Sequence, residues 1–415
     1  MTETSCTAAV TAMRLSNKHI LIGISGGIAA YKIPELIRSL VKEGAEVRVA
    51  TSRHALEFVT ELTLQTVSGH PVYSDVFAAI NAHATEHISL PQWADVLLVA
   101  PATANVLGKT ASGIADDALT TTICSCIARK PVVFAPAMND KMWENPATQA
   151  AIRTIRSWEH VSVLEPEEGP LACGTCGKGR MPEIETLQEA ILDALTPKTM
   201  QDQKVLITAG ATQEALDPVR YISNYSTGKM GIALAQSCAR RGAQVTLVCG
   251  AVSVPVLNPY GRIHRIDALS AQAMYEACKQ AWPQMDRAIL CAAVADFTPE
   301  QQATQKIKKV DGQQSLDIHL TATTDIARAL GETKRAGQQL IGFALETNDE
   351  KKNALHKMER KHLDAIILNS LRDEGAGFGT DTNIVTILQA DGSETALPLQ
   401  SKALISEEIL KVLFS

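Results

Sequence analysis

Short apolar blocks separated by stretches of helical spacing recur along this chain, and the first of them sets the pattern for the rest. His19-Ile-Leu-Ile-Gly-Ile24 is an apolar run that stops at Ser25-Gly26-Gly27. Residues 28–41 then place apolar side chains at helical spacing, Gly44-Ala45 closes that stretch, and Glu46-Val-Arg-Val-Ala-Thr51 alternates. Strand, glycine turn, helix and strand make one βαβ unit. Further strands are predicted at 95–100 and 131–135, with helical patterns between them. Alternating β and α elements predict a mostly parallel, doubly wound sheet.

The pattern breaks at 196–203, where Thr-Pro-Lys-Thr-Met-Gln-Asp-Gln is polar, contains proline and has no apolar period. A linker is predicted there, between a first domain at 18–195 and a second at 204–415, after a loose N-terminus at 1–17. The second domain opens on another βαβ unit: a strand at Lys204–Ala209, a helix at 228–241 and a strand at Gln244–Cys249. Later strands are expected at 287–293, 339–344 and 364–368. The halves share a design without close sequence repetition, so no duplication is inferred.

Composition narrows the class. A chain of 415 residues is too long for one ordinary core. Aromatic residues make up only 4%, which suits aliphatic α/β cores better than a β-sandwich. A net charge of -6 gives no basic footprint for nucleic acid, but leaves small anions that local amides and single cations can hold. The nine cysteines are odd in number and sit in apolar segments such as those of Cys124, Cys238 and Cys291, as thiols do in a reducing compartment. Residues 1–17 lack the apolar stretch of a secretory signal, and no segment approaches a membrane span. A cytoplasmic protein is expected.

The candidate chemistry sits at strand ends. The Ser25-Gly-Gly loop would let backbone N–H groups reach a phosphate at a helix N-terminus. It lacks both the GxGxxG spacing and the GK[ST] of a Walker A sequence, so alone it is as readily a plain turn. Pro101-Ala102-Thr103-Ala-Asn105 and Pro136-Ala-Met-Asn139 each follow a strand with polar side chains, where open parallel sheets bind ligands. His87 lies shortly before the strand leading to Pro101. His83 would complete a helical pair, but no third ligand has metal spacing, so no metal is assigned. Cys173-Gly-Thr-Cys176 reads either as half of a zinc or redox motif or as a glycine-rich flap with one working thiol, and the residues leave both open. In the second half, Ser226, Thr227 and Gly228 bring hydroxyls and amides to a helix start. Lys306-Ile-Lys308-Lys309 is a cationic cluster that would neutralise phosphate beside an anion site and is a solvated face elsewhere.

Taken in order, these motifs resemble the bacterial bifunctional phosphopantothenoylcysteine decarboxylase / phosphopantothenate–cysteine ligase family of coenzyme A biosynthesis. The resemblance runs from about His19 over nearly the whole chain. It is carried by Ser25-Gly-Gly-Ile-Ala-Ala-Tyr-Lys32, His87-Ile-Ser-Leu90, Pro101–Asn105, Pro136–Asn139, Ala172-Cys-Gly and Gly179-Arg-Met181. The second half adds Asp217-Pro-Val-Arg-Tyr-Ile-Ser-Asn224, Ser226-Thr-Gly-Lys-Met-Gly231, Ala292-Ala-Val-Ala-Asp296, Lys306–Lys309, Phe343, Lys361–Asp364 and Asn369. It implies two Rossmann-like domains, decarboxylase-type and then ligase-type.

In the first domain the resemblance implies an FMN site at Ser25, Gly26, Gly27, Thr51, Pro101, Ala102, Thr103 and Asn105. The flavin oxidises the substrate's cysteine-derived thiol toward a thioaldehyde, an electron sink that lets carbon dioxide leave. His87 matches the active-site histidine, Asn139 the residue that holds the substrate carboxylate, and Cys173 the thiol that protonates the enethiol; Cys176 matches nothing. In the second domain phosphopantothenate attacks CTP to give an acyl-cytidylate, which cysteine's amine then opens. Asn224 would hold the carboxyl and the acyl-cytidylate, and Lys306 would act on that intermediate. Ser226, Thr227, Gly228, Lys229, Asp296, Lys306, Phe343 and Lys361 would bind nucleotide and substrate, with Mg2+ accompanying CTP. Ala211, Gln213, Tyr225 and Thr324 depart from the family pattern at loop positions. A trimer-based homo-oligomer, up to a dodecamer, is expected by analogy, with flavin sites shared between subunits. The competing readings are a flavin-dependent cysteine decarboxylase of another pathway and a nucleotide-binding regulator without catalysis; retention of His87, Asn139, Cys173, Asn224 and Lys306 argues against the latter.

Overall fold

A computed structural model of the chain describes residues 13–77, 86–170, 174, 176–309, 314–346, 349–370, 377 and 379–414. Contacts divide these residues into two compact units, 13–197 with 257–260, and 198–256 with 261–415.

The first unit is built on β1 (His19–Ile24), β2 (Glu46–Thr51), β3 (Val72–Tyr73), β4 (Val96–Ala102), β5 (Val132–Pro136) and β6 (Val161–Val163), paired in parallel in the order β3-β2-β1-β4-β5-β6. Its helices are α1 (Ile33–Lys42), α2 (Glu61–Ser68), α3 (Glu86–Trp93), α4 (Ala104–Ala111), α5 (Ala118–Cys126), α6 (Asp140–Trp143), α7 (Pro146–Arg156) and α8 (Ile184–Leu195). Alternation along β1 explains the layering. Ile20, Ile22 and Ile24 pack with Leu36, Ile37 and Leu40 of α1 and Leu187 of α8, whereas Leu21 faces Leu119 and Ile123 of α5 on the other side. A strand buried on both faces therefore reads as an unbroken apolar run. The helix expected over 28–41 is two elements, a 3-10 turn at Ile28–Lys32 and then α1. Pro34 is the cause: lacking an N–H, it fits only a first turn, and α1 begins around it. A two-stranded hairpin, β7 (Glu167–Pro170) with β8 (Cys176–Arg180), precedes α8.

The second unit repeats the logic. Lys204–Ala209 forms β9, as expected; a small hairpin of β10 (Gln213–Ala215) and β11 (Tyr221–Ser223) leads to α9 (Lys229–Arg240). Then come β12 (Gln244–Cys249), β13 (Ile263–Asp267), α10 (Ala271–Ala281), β14 (Arg287–Leu290), the hairpin of β15 (Phe297–Pro299) and β16 (Leu320–Ala322), and α11 (Ile326–Glu332). They are followed by β17 (Gln339–Glu346), α12 (Glu350–Arg360), β18 (Ala365–Ser370), β19 (Thr382–Gln389), β20 (Glu394–Ser401) and α13 (Lys402–Phe414). The large sheet runs β13-β12-β9-β14-β17-β18-β19-β20, parallel as far as β18 and antiparallel in its last two strands. That closing hairpin was not read from the sequence. The strand expected at 287–293 stops at Leu290, because the hydroxyl of Thr208 accepts hydrogen bonds from the N–H groups of Cys291 and Ala292, both at 3.1 Å, and bends the chain out of the sheet.

In each sheet the strand order reverses once, between β1 and β4 in the first and between β9 and β14 in the second. At such a point the loops after two neighbouring strands part in opposite directions and leave a crevice at their carboxyl ends.

Candidate active sites

The first crevice opens into a cavity of about 990 Å³, large enough for a dinucleotide-sized or smaller ligand. Ser25, at the end of β1, is its hinge. Its buried Oγ donates to the carbonyl oxygen of Pro101 at 2.7 Å and accepts from the N–H of Thr103 at 3.1 Å, tying the end of β1 to that of β4. Gly26 and Gly27 complete the turn. A Cβ on Gly26 would stand 2.7 Å from that of His54, so only glycine lets this backbone pass. Thr103 stands at the N-cap position of α4, its Oγ1 bonded to Ser25 Oγ at 3.1 Å rather than to the helix, and lines the same crevice with Asn105 and Val106. Asn139, at the end of β5, lines it too, with its Oδ1 accepting from the N–H of Lys141 at 2.9 Å. The β7–β8 hairpin contributes Pro170, Gly179 and Arg180, and the N–H of Met138 donates to the carbonyl of Gly179 at 2.9 Å.

Of the residues expected in this site, Ser25, Gly26, Gly27, Thr103, Asn105 and Asn139 line the cavity. Thr51, Pro101 and Ala102 are buried behind its wall. His87 stands half-buried on α3, outside the cavity lining of its own chain. Cys173 lies outside the described residues, and Cys176 is exposed on β8. Sequence reasoning missed Ser52, Arg53 and His54, which line the cavity directly after β2. The rule that drew attention to residues after β4 and β5 applies equally there. Lys32, Lys109 and Arg180 add positive charge, and the Lys109 ammonium, 2.7 Å from Asp116, holds that carboxyl below the usual carboxylate range.

A flavin nucleotide fits this arrangement on structural grounds. The backbone cradle has no room for a side chain at Gly26 and little at Gly27, four cations are at hand for a phosphate, and the buried Oγ1 of Thr51 has no hydrogen-bond partner.

The second crevice holds a cavity of about 380 Å³ between the head of α9, the 291–296 segment and the ends of β17 and β18. Gly228 turns the chain into the head of α9. Its φ is +78°, and a Cβ would meet Val252 Cγ1 at 2.5 Å. Ser226, Thr227, Gly228 and Lys229 line the cavity at the helix head, as the sequence suggested, together with Asp296, Phe343 and Lys361. Lys361 pairs with Asp325 at 3.0 Å. Lys357 and Lys402 line it too and were missed: Lys357 looks like any solvated lysine of a polar helix, and Lys402 belongs to an element whose packing the sequence does not reveal. Cys291 also faces the cavity, but burial pushes its thiol up to about 12, so it holds almost no thiolate at neutral pH.

Asn224 and Lys306 lie outside that lining. Asn224 is exposed and donates from Nδ2 to the carbonyl of Ala293 at 3.1 Å, which fastens it to the cavity wall. Lys306 is exposed on a loop held by the Asp217-Pro-Val-Arg220 turn. The buried Asp217 carboxylate accepts from Arg220 Nη2 at 2.6 Å and from the N–H of Ile307 at 3.1 Å, and Arg220 also donates to the carbonyl of Ile307 at 2.8 Å. These bonds, the Arg220 guanidinium first, hold the Asp217 carboxyl well below the usual range.

Two sheets with parallel central strands, each with a glycine- and hydroxyl-lined cavity at the point where its strand order reverses, define an α/β enzyme with two separate sites for nucleotide-like ligands. The family described as Flavoprotein matches residues 9–196, and that described as DNA/pantothenate metabolism flavoprotein C-terminal domain matches residues 200–415. The chain is 46% identical to the coenzyme A biosynthesis bifunctional protein CoaBC of Bacillus subtilis (strain 168), over 96% of this chain and 97% of that protein. It is 45% identical to a cysteine/cysteine sulfinic acid decarboxylase of an unknown prokaryotic organism, over 85% of this chain and 98% of that protein. Among solved structures, the C-terminal domain of a CoaBC protein aligns with 38% identity and a TM-score of 0.43, over 52% of this chain and 96% of that one. The chain belongs to the family of bifunctional coenzyme A biosynthesis proteins, in which a flavoprotein phosphopantothenoylcysteine decarboxylase and a phosphopantothenate–cysteine ligase are joined.

Proposed function

We propose that the second domain, 204–415, joins 4'-phosphopantothenate to L-cysteine at the expense of CTP, and that the first, 18–195, decarboxylates the resulting phosphopantothenoylcysteine with FMN to give 4'-phosphopantetheine. The observation that carries this reading is the pairing, in one chain of this family, of a cavity built on Ser25, Gly26 and Gly27 with one built on Ser226–Lys229. A carboxylate is a poor electrophile, so amide formation needs an activated acyl group. The four lysines around the second cavity, Lys229, Lys357, Lys361 and Lys402, suit a polyphosphate that arrives with Mg2+.

In the first site, bound FMN would supply the two-electron chemistry. Ser25, Gly26, Gly27, Thr103 and Asn105 would hold it, with Thr51, Pro101 and Ala102 shaping the wall behind. Asn139 orients the substrate carboxylate, His87 handles a proton, and Cys173 delivers one to the enethiol. In the second, Asn224 orients the acyl group and Lys306 answers the charge on the cytidylate. Because His87 is outside its own chain's cavity, the first site is completed by a second copy, in a trimer-based assembly. Exposed Phe58, Leu62, Phe77 and Ile88 would be covered in that assembly. The free thiols among the described cysteines suit a cytoplasmic enzyme.

Mass analysis of products from phosphopantothenate, cysteine, CTP and Mg2+ tests the whole reading. Phosphopantothenoylcysteine and then phosphopantetheine are expected. Decarboxylation of free cysteine without ligation would instead favour the cysteine decarboxylase reading, for which the 45% identical relative speaks. Protein that stays colourless after FMN reconstitution would sink the flavoenzyme assignment.

A further inference from the structure

Lys402 belongs to none of the motifs, yet it lines the ligase cavity as a buried residue, 8% exposed, where Lys229, Lys357 and Lys361 are only half-buried. It is the first residue of α13. Its backbone N–H donates to the carbonyl of Asp381 at 2.9 Å, and its Nζ donates to the carbonyls of Gly377 at 3.1 Å and Thr380 at 2.6 Å. The same backbone is gripped from the other side. Lys229 Nζ donates to the carbonyl of Gly379 at 3.1 Å and to Asp381 Oδ1 at 2.6 Å. Two ammonium groups, each from the first residue of a helix, thus brace one stretch of chain between them. Burial and the nearby Lys229 charge both push the Lys402 ammonium down, while the Lys229 ammonium holds Asp381 low. A buried cation whose side-chain hydrogen bonds go to main-chain carbonyls contributes by ordering that main chain.

We propose that Lys402 is a positioning residue of the ligase: by fixing the backbone at Gly377 and Thr380 it holds Asp381 and the Gly379 carbonyl against Lys229, and so aims the Lys229 ammonium at a substrate phosphate seated at the head of α9. The inference rests on the ligase reading of this cavity and adds to it a residue that never touches the reacting atoms. The phosphate belongs either to the nucleotide or to phosphopantothenate, and varying each substrate separately tells which.

The test uses the full chain, with ligase rates measured at varied CTP and at varied phosphopantothenate. Lys402→Met raises the KM of one phosphate-bearing substrate roughly tenfold while kcat changes less, and Lys402→Arg recovers part of the loss. Lys229→Met raises the same KM. The double variant is no worse than Lys229→Met alone, because the two residues act through one contact. Decarboxylation of supplied phosphopantothenoylcysteine stays at its wild-type rate throughout. Unchanged KM values in Lys402→Met, or multiplied effects in the double variant, overturn the proposal. Should Lys402→Met fail to fold, Asp381→Asn releases Lys229 while keeping the carbonyl groups of Gly377 and Thr380 that Lys402 holds; it must raise the same KM, and an unchanged value overturns the proposal equally. Wild-type protein that forms no amide at all would defeat the ligase reading itself, which is a different outcome.

Discussion

At the scale of single residues, the side chains assigned to chemistry differ in how the fold holds them, and their tests differ accordingly. His87 is half-buried on α3 and outside the lining of its own cavity. His87→Asn is expected to abolish decarboxylation and leave ligation at its normal rate; loss of both would point to a folding defect. Cys173→Ser is expected to permit loss of carbon dioxide but to stall the final reduction, so that the enethiol accumulates and is seen by mass analysis. Asn224→Asp places a negative charge where a carboxylate must sit, and amide formation should fall by a hundredfold or so, while the flavin spectrum stays unchanged. Asp217 has a pH signature. Its folded pKa is depressed, so its contribution to stability is present above the ordinary aspartate value of about 3.9 and is lost as pH falls below it. The stability difference between wild type and Asp217→Asn, from urea unfolding, should be constant above about pH 5 and shrink below that.

At the scale of elements, strand ends and helix heads do the placing. Ser25 Oγ bridges β1 and β4, and Ser25→Ala takes the acceptor from the Thr103 N–H and leaves the buried Pro101 carbonyl only its weaker bond from the backbone N–H of residue 25. A loss of about 1–3 kcal/mol is expected, together with faster release of flavin, both readable from chemical unfolding and from visible absorbance. Gly228→Ala must force a side chain into a positive φ beside Val252. Backbone strain of about 1–3 kcal/mol should displace the head of α9, and ligase KM should rise while decarboxylation is untouched. The central strands β1, β2, β9 and β12 were readable to the residue, because an apolar run bounded by glycine or polar residues has few alternatives. The division at Pro34 was written in the sequence but yielded to the helical period around it. The closing β19–β20 hairpin, the β10–β11 and β15–β16 hairpins and the early end of β14 were not readable, since each depends on a partner strand or on the Thr208 hydroxyl arriving from elsewhere in the chain.

At the scale of the whole molecule, each unit carries its own core and its own cavity, so the two activities should separate under mutation. If the flavin site is shared between copies, co-refolded mixtures of His87→Asn and Asn139→Asp should regain decarboxylase activity that neither protein has alone, and mass photometry should find a multiple of three chains. Two inert populations that stay inert on mixing would place His87 and Asn139 in the same chain's site.

The sequence by itself determined the class of each domain, because apolar period and turn residues are local. It also marked Ser25–Gly27, Thr103, Asn139 and Ser226–Lys229, because parallel sheets bind ligands where their strands end. Only the tertiary structure decided that Thr51 and Pro101 stand behind the wall rather than in it, that Arg53 and Lys357 face the cavities, and that the Asp217–Arg220 turn grips the loop of Lys306. It alone brought Lys402 from the start of the last helix to within reach of the backbone that holds Lys229. These are meetings between residues far apart in the chain, and no local pattern encodes a distance that closes only when the sheet is assembled.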